Sequence, residues 1–407
     1  MKNTLSTLLL AASLAAPAFA DPADPQISGF SVSQGSRRVV SVSYTLDEPA
    51  YVTLDVLTNG VSIGGANIQN VVGDCFALVP AGTHSIQWFA RKSWPDQRFN
   101  GPVVKVQLRA WAADVPPDVM DIDLETKAVA YYPSLDYLPD GGLANDKYRT
   151  THLVMKKVHA AGETFTMGSP SDESPYRGSD EVQHLVTFTK DYYLAIYETT
   201  RRQYALMGGT ENASAQRSTF SGDDPDQCPV GAVKYSVLRS GDWPADGHSA
   251  AGGFLGSAQT AFGIAFDLPT EAQWEFACRA GTTTAMYNGK GNEKQYGNPD
   301  VAEIAWYYYN SDNGASVHAV GGKPANPWGF HDMYGNLLEW CLDWYGDYDA
   351  SGSVATDPAG QSSGTRRVFR SSHVNTFSPP NRSAYRSSNT PATGDWQYGF
   401  RLCVTLP

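Results

Sequence analysis

The sequence is short of positive charge. It contains 30 Lys and Arg residues against 42 Asp and Glu residues, which gives a formal net charge of -12 over 407 residues. A protein that binds nucleic acid or an anionic membrane surface presents a basic face to it. We therefore expect neither nucleic acid nor an anionic membrane surface as a partner.

Cysteine is also scarce. There are five cysteines, and none lies in a Cys-x-x-Cys or Cys/His cluster. A structural zinc site needs such a cluster, so none is expected. Because five is an odd number, at least one thiol stays free or pairs outside the chain. Cys75 has no partner in its part of the sequence.

Long apolar runs are absent apart from one at the N-terminus, Leu5 to Ala16. This run is too short to span a bilayer as a stable anchor. It follows Lys2 and precedes the small-x-small sequence Ala18-Phe19-Ala20, a pattern typical of a signal peptide cleaved after Ala20. We therefore predict a signal peptide over residues 1–20 and a mature protein exported to the periplasm or the exterior, without a membrane span.

Residues 21–114 alternate apolar and polar positions with period two. The runs Val39 to Tyr44, Tyr51 to Leu57, Ser85 to Phe89 and Val103 to Leu108 are rich in β-branched and aromatic residues. Several short strands separated by turn residues are typical of an antiparallel β-sandwich. We predict an N-terminal all-β domain, immunoglobulin-like or fibronectin-like.

A turn-rich linker is predicted over residues 115–150, with Tyr131-Tyr132-Pro133 docked on one of the domains. A second domain is predicted over 151–407, where Gly, Trp and Tyr are frequent and regular secondary structure is sparse. Two helices are predicted in it, one near Thr199 to Met207 and one over Thr270 to Arg279. In the second, Thr270 and Gln273 are spaced as a capping box.

Sequence blocks in this second domain carry a family resemblance. They are Phe165-Thr166-Met167-Gly168, Tyr197-Glu198-Thr199-Thr200, Leu268 to Gly281, Asn326 to Trp340, Arg382 to Arg386, and Gly399-Phe400-Arg401. Together and in this order, they resemble the formylglycine-generating-enzyme, or sulfatase-modifying-factor, family. The resemblance implies an α+β domain of the C-type-lectin-like fold with little regular secondary structure.

The family binds a structural calcium ion at positions that correspond to Asp332, Gly335, Leu337 and Glu339. Carboxylates and backbone carbonyls from a tight glycine turn are ligands that suit calcium, so the resemblance implies calcium here. The alternative is that Asp332 caps a turn and Glu339 pairs with an arginine. A poorer match to a second calcium site lies near Glu303 and Asp312.

The resemblance also implies a disulfide between Cys278 and Cys403. The alternative is two buried thiols. A second bridge between Cys228 and Cys341 is left open.

The sequence departs from the family where the catalytic cysteines should be. The enzymes bind copper(I) through two cysteines between an R-V-x-R-G-G-S segment and the final G-F-R. Here, residues 366–382 contain no cysteine, and none lies between Cys341 and Cys403. Copper(I) needs soft thiolate ligands, so copper is not expected. The histidines are scattered without ligand spacing, which argues against an iron enzyme.

The cleft that holds a peptide in the family would keep its shape without these thiols. The residues expected to line it are His373, Asn375, Phe377, Tyr385, Trp396 and Tyr398. Aromatic and amide side chains suit an adaptable binding surface. The leading hypothesis is an exported, non-catalytic binding protein for a peptide, protein or glycan, with segment 371–398 either diversified by a retroelement or decayed. The alternatives are a formylglycine-generating oxidoreductase and a structural envelope protein.

Overall fold

The chain divides into two compact units in a computed structural model, which describes residues 11–12, 25–35, 38–95, 104–211, 222–248, 252–292, 294–348 and 352–407. The first unit comprises Met1–Ile122 and Ala128–Tyr148, and the second comprises Asp123–Lys127 and Arg149–Pro407. Within the described residues, no helix is long and apolar enough to cross a membrane. The predicted signal peptide lies outside the described residues, apart from Ala11–Ala12.

Two β-sheets form the first unit. One has the order β1-β9-β4-β5, with β7 also paired to β4, and the other has the order β2-β3-β8-β6. The strands are β1 (Ala11–Ala12), β2 (Ile27–Gln34), β3 (Val39–Leu46), β4 (Ala50–Thr58), β5 (Val61–Ser62), β6 (Val71–Gly73), β7 (Ala77–Val79), β8 (Gly82–Phe89) and β9 (Val104–Ala112); a short helix, α1 (Ala90–Ser93), follows β8.

The predicted period-two pattern is what builds the core of this unit. Val40, Val42 and Tyr44 on β3 are buried, while the residues between them are half-exposed. They share one core with residues of both sheets, including Leu54 on β4 and Trp88 on β8. The all-β prediction is therefore confirmed, whereas an immunoglobulin-like or fibronectin-like topology stays a prediction.

Residues 115–150 contain more regular structure than the predicted linker. They include β10 (Val119–Asp123), β11 (Val129–Tyr132) and α2 (Lys147–Thr150), and β10 and β11 pair as an antiparallel hairpin. The docking of the tyrosine pair is seen within the first unit. The Tyr131 ring lies 4.4 Å from that of Tyr51, and the Tyr132 ring lies 5.0 Å from that of Phe76. Burial of these rings holds part of residues 115–150 in place. The turn residues alone had predicted that this segment is irregular.

The second unit has short strands and short helices joined by long loops. Its sheets have the orders β13-β14-β17 and β19-β18-β16-β20, and β15 pairs with both β12 and β21. The strands are β12 (His152–Val158), β13 (Thr164–Met167), β14 (His184–Thr187), β15 (Tyr192–Ala195), β16 (Leu338–Trp344), β17 (Ala355–Thr356), β18 (Arg367–Arg370), β19 (Ser387–Asn389), β20 (Tyr398–Gly399) and β21 (Cys403–Thr405). The helices are α3 (Arg201–Leu206), α4 (Tyr235–Leu238), α5 (Gly253–Phe262), α6 (Glu271–Arg279) and α7 (Pro299–Ile304).

Both predicted helices are present, and each begins with a complete capping box. Thr200 caps α3 and Thr270 caps α6, with Gln203 and Gln273 completing the two boxes. Each box satisfies two backbone N–H groups that a helix start otherwise leaves unpaired. All nine residues of α6 are buried, so this helix forms the centre of the second unit.

Candidate functional site

A buried ion pair fixes the loop that precedes β16. Glu339 accepts hydrogen bonds from Arg401 Nη2 at 2.8 Å, from Arg401 Nε at 3.0 Å and from Trp274 Nε1 at 2.7 Å. Arg401 also donates to the carbonyls of Ala195 and His331. Both charged side chains are fully buried, and a bidentate arginine pair is the geometry that best offsets the cost of burying a carboxylate.

Two further carboxyl groups lie buried beside this ion pair. Glu198 accepts hydrogen bonds from the backbone N–H of Leu337 and from Asn336 Nδ2. Burial raises the pKa of Glu198 well above its ordinary value, and the carboxylates of Asp332 and Glu339 raise it further. Burial also raises the pKa of Asp332. The Oδ2 atom of Asp332 accepts a hydrogen bond from Gly321, whereas its buried Oδ1 atom has no partner.

At the Glu339 position of the predicted calcium set, the structure has an ion pair, and calcium at Asp332, Gly335, Leu337 and Glu339 stays a prediction. Both carboxylate oxygens of Glu339 are already occupied by N–H donors, so the counter-charge there is the guanidinium of Arg401. The alternative interpretation, in which Glu339 pairs with an arginine, is therefore the arrangement observed. The Gly335 carbonyl accepts a hydrogen bond from Ser371 Oγ at 3.2 Å. Among the described residues, no group of three or more His, Cys, Asp or Glu side chains is arranged to hold a metal ion.

Calcium binding stays a prediction for Asp332, because an unpaired carboxylate oxygen is what a calcium ion needs. If the ion binds there, EDTA should lower the melting temperature of the wild-type chain but not that of Asp332→Asn. Differential scanning fluorimetry with and without EDTA measures this. An identical wild-type melting temperature in both conditions would exclude a structural calcium ion.

The segment that carries the catalytic cysteines in the family holds a neutral hydrogen-bond network here. Ser372 Oγ donates to Asn381 Oδ1 at 2.7 Å, and Asn381 Nδ2 donates to the carbonyls of Phe377 and Ser378. Asn292 Nδ2 donates to the same Ser378 carbonyl at 2.5 Å. The Ser372, Asn381 and Asn292 side chains are fully buried. Amide and hydroxyl groups supply no soft ligand for copper(I).

The structure brings some of the predicted binding residues together. The ring of His373 lies 5.4 Å from that of Trp396 in an edge-on arrangement, and the Asn375 N–H donates to His373 Nδ1 at 3.3 Å. Phe377, in the same loop, is 41% exposed. His373, Asn375 and Phe377 lie in one loop, and Trp396 packs against His373. Together they present polar and aromatic groups.

Tyr398 is a correction to the predicted set. Its side chain is buried and stacks on Trp340 at 5.0 Å, and its hydroxyl accepts a hydrogen bond from Asn389. β20 pairs in parallel with β16, where Tyr398 lies opposite the buried Leu338. Tyr385 is half-buried, its pKa is raised by burial, and its hydroxyl interacts with Ser387. It therefore contributes to packing near β19.

Three tyrosines that the sequence interpretation missed complete an exposed aromatic patch, defined here as Tyr296, Tyr308, Tyr309 and Phe377. The ring of Phe377 lies 5.2 Å from Tyr296, 5.0 Å from Tyr308 and 6.1 Å from Tyr309. Tyr296 is 55% exposed and Tyr309 is 45% exposed. The backbone N–H of Tyr308 donates to the Thr376 carbonyl, which joins the two loops. The three consecutive tyrosines at 307–309 were the feature of the sequence that could have indicated this patch.

The predicted Cys278–Cys403 disulfide is not formed in the structure, in which all five thiols are free. Cys278 interacts with the hydroxyls of Tyr334 and Ser383, whereas Cys403 Sγ lies 3.8 Å from Gln273 Oε1. Gln273 and Cys278 are separated by about 7.5 Å along the axis of α6. Cys403 therefore contacts α6 more than one helical turn away from Cys278. The alternative of two buried thiols is observed. Cys228 and Cys341 are likewise buried and unbridged.

Comparison with known proteins identifies the second unit. The family described as sulfatase-modifying factor enzyme 1-like domain matches residues 145–406. The serine/threonine-protein kinase pkn1 of Chlamydia caviae is 36% identical over 137 residues, which cover 33% of this chain and 20% of that protein. The formylglycine-generating enzyme of Thermomonospora curvata is 34% identical over 155 residues, which cover 34% of this chain and 49% of that protein. The chain thus spans half or less of the length of these relatives.

A solved structure supports the fold. Treponema denticola variable protein 1 superposes with a TM-score of 0.51 at 22% identity, covering 62% of this chain and 95% of that chain. The family match over residues 145–406 extends over most of the second unit, and it includes the motif blocks and the buried Glu339–Arg401 pair that joins two of them. The chain therefore belongs to the family of proteins with a sulfatase-modifying factor enzyme 1-like domain.

Proposed function

We propose that the second unit binds a periplasmic or extracellular ligand, a peptide, protein or glycan, at the aromatic patch and at the adjoining His373–Trp396 pair, without transforming it. The observation that carries this proposal is the exposure of Tyr296, Tyr309 and Phe377, whose rings contact one another through Phe377. Large rigid rings supply contact area at a low cost in conformational entropy. Export of the mature chain is part of the same proposal.

Replacing Phe377 with alanine should weaken ligand binding by about 10- to 30-fold, because this ring is the common neighbour of the three tyrosines and its loss removes a central contact. Fluorescently labelled protein on peptide and glycan arrays first selects a ligand, and titration of that ligand then gives the dissociation constant. Leu185→Ala is the matched control, since Leu185 is 43% exposed on β14 of another sheet. Equal weakening by both variants, or by neither, would contradict the proposed surface.

The competing function, formylglycine generation, predicts turnover. The purified chain, supplied with copper(I) and oxygen, should leave a Cys-x-Pro-x-Arg peptide unmodified in a mass-spectrometric assay, because no thiolate is available in residues 371–381 to bind the metal. The formylglycine-generating enzyme of Thermomonospora curvata serves as the positive control. Conversion of the peptide would show that the protein is an enzyme. If the peptide stays unmodified and no array ligand is found, the structural-protein hypothesis gains support.

The diversification hypothesis concerns the same surface. Residues 371–398 include Phe377 and Trp396, whose side chains reach the surface, together with the buried Ser372 and Asn381. A retroelement that changed the first kind of position and spared the second would alter binding without unfolding the domain. Sequencing this segment in many isolates of one population tests the idea, since decay would scatter substitutions over both kinds of position.

A further inference from the structure

A regular array of hydroxyl groups covers the outer face of the β2-β3-β8-β6 sheet in the first unit. The strand register places Ser28, Thr45 and Thr83 in one row across three strands, Ser31, Ser43 and Ser85 in the next, and Ser33, Ser41 and Gln87 in the third. Their burial alternates with that of the core residues, so all nine side chains lie on the outer face. Thr45 and Thr83 hydroxyls hydrogen-bond to each other at 3.1 Å.

No charged residue lies in this sheet. Strands β2, β3, β6 and β8 read ISGFSVSQ, VVSVSYTL, VVG and GTHSIQWF, without a single Asp, Glu, Lys or Arg. The other sheet differs, because its strand β9 carries the exposed Lys105 and Arg109. Edge strands usually carry charges that prevent other molecules from pairing or packing there. An uncharged face on a chain of net charge -12 suits a neutral partner, since no buried charge would be left unpaired in the complex.

We propose that this face, called the hydroxyl face, binds a neutral polysaccharide. Serine and threonine hydroxyls both donate and accept hydrogen bonds, as the hydroxyls of a neutral sugar do. The rows recur with the regular spacing of the strands and of alternate residues along them, which suits a ligand that is itself extended and repetitive. At one end of the face, Val39 pairs with Phe89, and both are half-buried. Lys92 Nζ lies over the Phe89 ring, 5.4 Å from its centre, so Phe89 marks the border of the uncharged face.

A polymer fits this face better than a single sugar. Each exchange of water for a sugar hydroxyl contributes little net free energy. A useful affinity therefore needs many such contacts made at once by one chain of linked units. The face does not depend on the aromatic patch, so the two binding proposals can fail separately.

The test is a depletion assay with the full chain on insoluble cellulose, chitin and starch, each in low salt and in 1 M NaCl. We expect saturable retention on at least one of them that does not weaken in high salt, because no charge takes part. Ser43→Arg places a charged, bulky side chain in the middle row of the central strand, and it should lower the partition coefficient about tenfold or more. Thermal melts confirm that the variant is folded.

A matched pair of substitutions locates the site. Gln87→Glu on the hydroxyl face should weaken retention, whereas Gln107→Glu on β9 of the opposite sheet should leave it unchanged. Phe377→Ala should bind as the wild type does. The proposal is overturned by no retention on any of the three polymers, by equal retention of Ser43→Arg, or by loss of retention in Phe377→Ala. Sedimentation equilibrium tests whether the face instead binds a second copy of the chain. A dimer that Ser43→Arg dissociates, without polysaccharide binding, would show this.

Discussion

Replacing Arg401 with methionine should lower the free energy of unfolding of the second unit by about 3–5 kcal/mol. Methionine fills much of the same volume but removes the guanidinium of Arg401, which is the only one among the described residues that pairs with Glu339. The Glu339 carboxylate would then lie fully buried without a counter-charge, beside Glu198 and Asp332, whose pKa values the Glu339 carboxylate already raises. The carbonyls of Ala195 and His331 would also lose a donor.

Urea denaturation followed by tryptophan fluorescence measures this loss. Arg202→Met is the matched control, because Arg202 pairs with Glu125 at 3.4 Å with both side chains exposed; it should cost less than about 1 kcal/mol. Adding Glu339→Gln to Arg401→Met should recover part of the stability, since it removes the uncompensated charge. A loss of under about 1 kcal/mol in Arg401→Met would show that another cation supplies the counter-charge.

Glu271→Gln should have an effect of similar size at the start of α6. The Glu271 carboxylate accepts hydrogen bonds from Arg370 Nε at 2.9 Å, from Arg386 Nε and Nη2 at 2.8 Å each, and from the Tyr348 hydroxyl at 2.9 Å. Burial alone would raise its pKa, but Arg386 and Arg370 hold the pKa of Glu271 below its ordinary value. Without this carboxylate, Arg386 would lose its ion-pair partner and Arg370 would keep only Glu275, at a cost of about 3–5 kcal/mol.

Glu303→Gln is the control, because Glu303 is exposed and pairs with the exposed Lys290 at 3.4 Å. Both variants remove one negative charge from the chain, so they change the net charge equally and differ only in burial. We expect urea denaturation to separate them by about 3 kcal/mol or more. Similar curves for the two variants would mean that the network around Glu271 is solvated enough to tolerate a neutral amide.

The sequence predicted α3 and α6, which begin with capping boxes, and missed α4, α5 and α7. The capping boxes at Thr200 and Thr270 are local, and both helices were predicted. Helix α5 contains Gly253 and Gly256, and glycine lowers helix propensity, so nothing local indicated it. Burial of Phe254 and Leu255 stabilises α5 through packing that a sequence pattern does not reveal.

The proposed binding surface was predicted only in part for a related reason. The motifs located the loop that carries His373 and Phe377, because that loop follows a recognisable block. They could not show that residue 398 faces the core, since the parity of a two-residue strand gives no reliable inward side. The aromatic patch joins three separate segments around residues 296, 308 and 377, and tertiary packing alone brings those segments together. The same holds for the partner of Glu339, which lies 62 residues later in the chain.

Under the aromatic patch, the hydrogen bonds that hold the backbone are made by groups other than the rings exposed at the surface. Asn381 holds the loop through the backbone carbonyls of Phe377 and Ser378, and Tyr308 holds it through the carbonyl of Thr376. None of these bonds uses the side chain at 377 or 308, whereas Thr376 Oγ1 itself bonds the backbone of His373. The side chains at 377 and 308 can therefore change during evolution while the backbone keeps its shape, so the proposed binding surface can be altered without first acquiring a more stable fold.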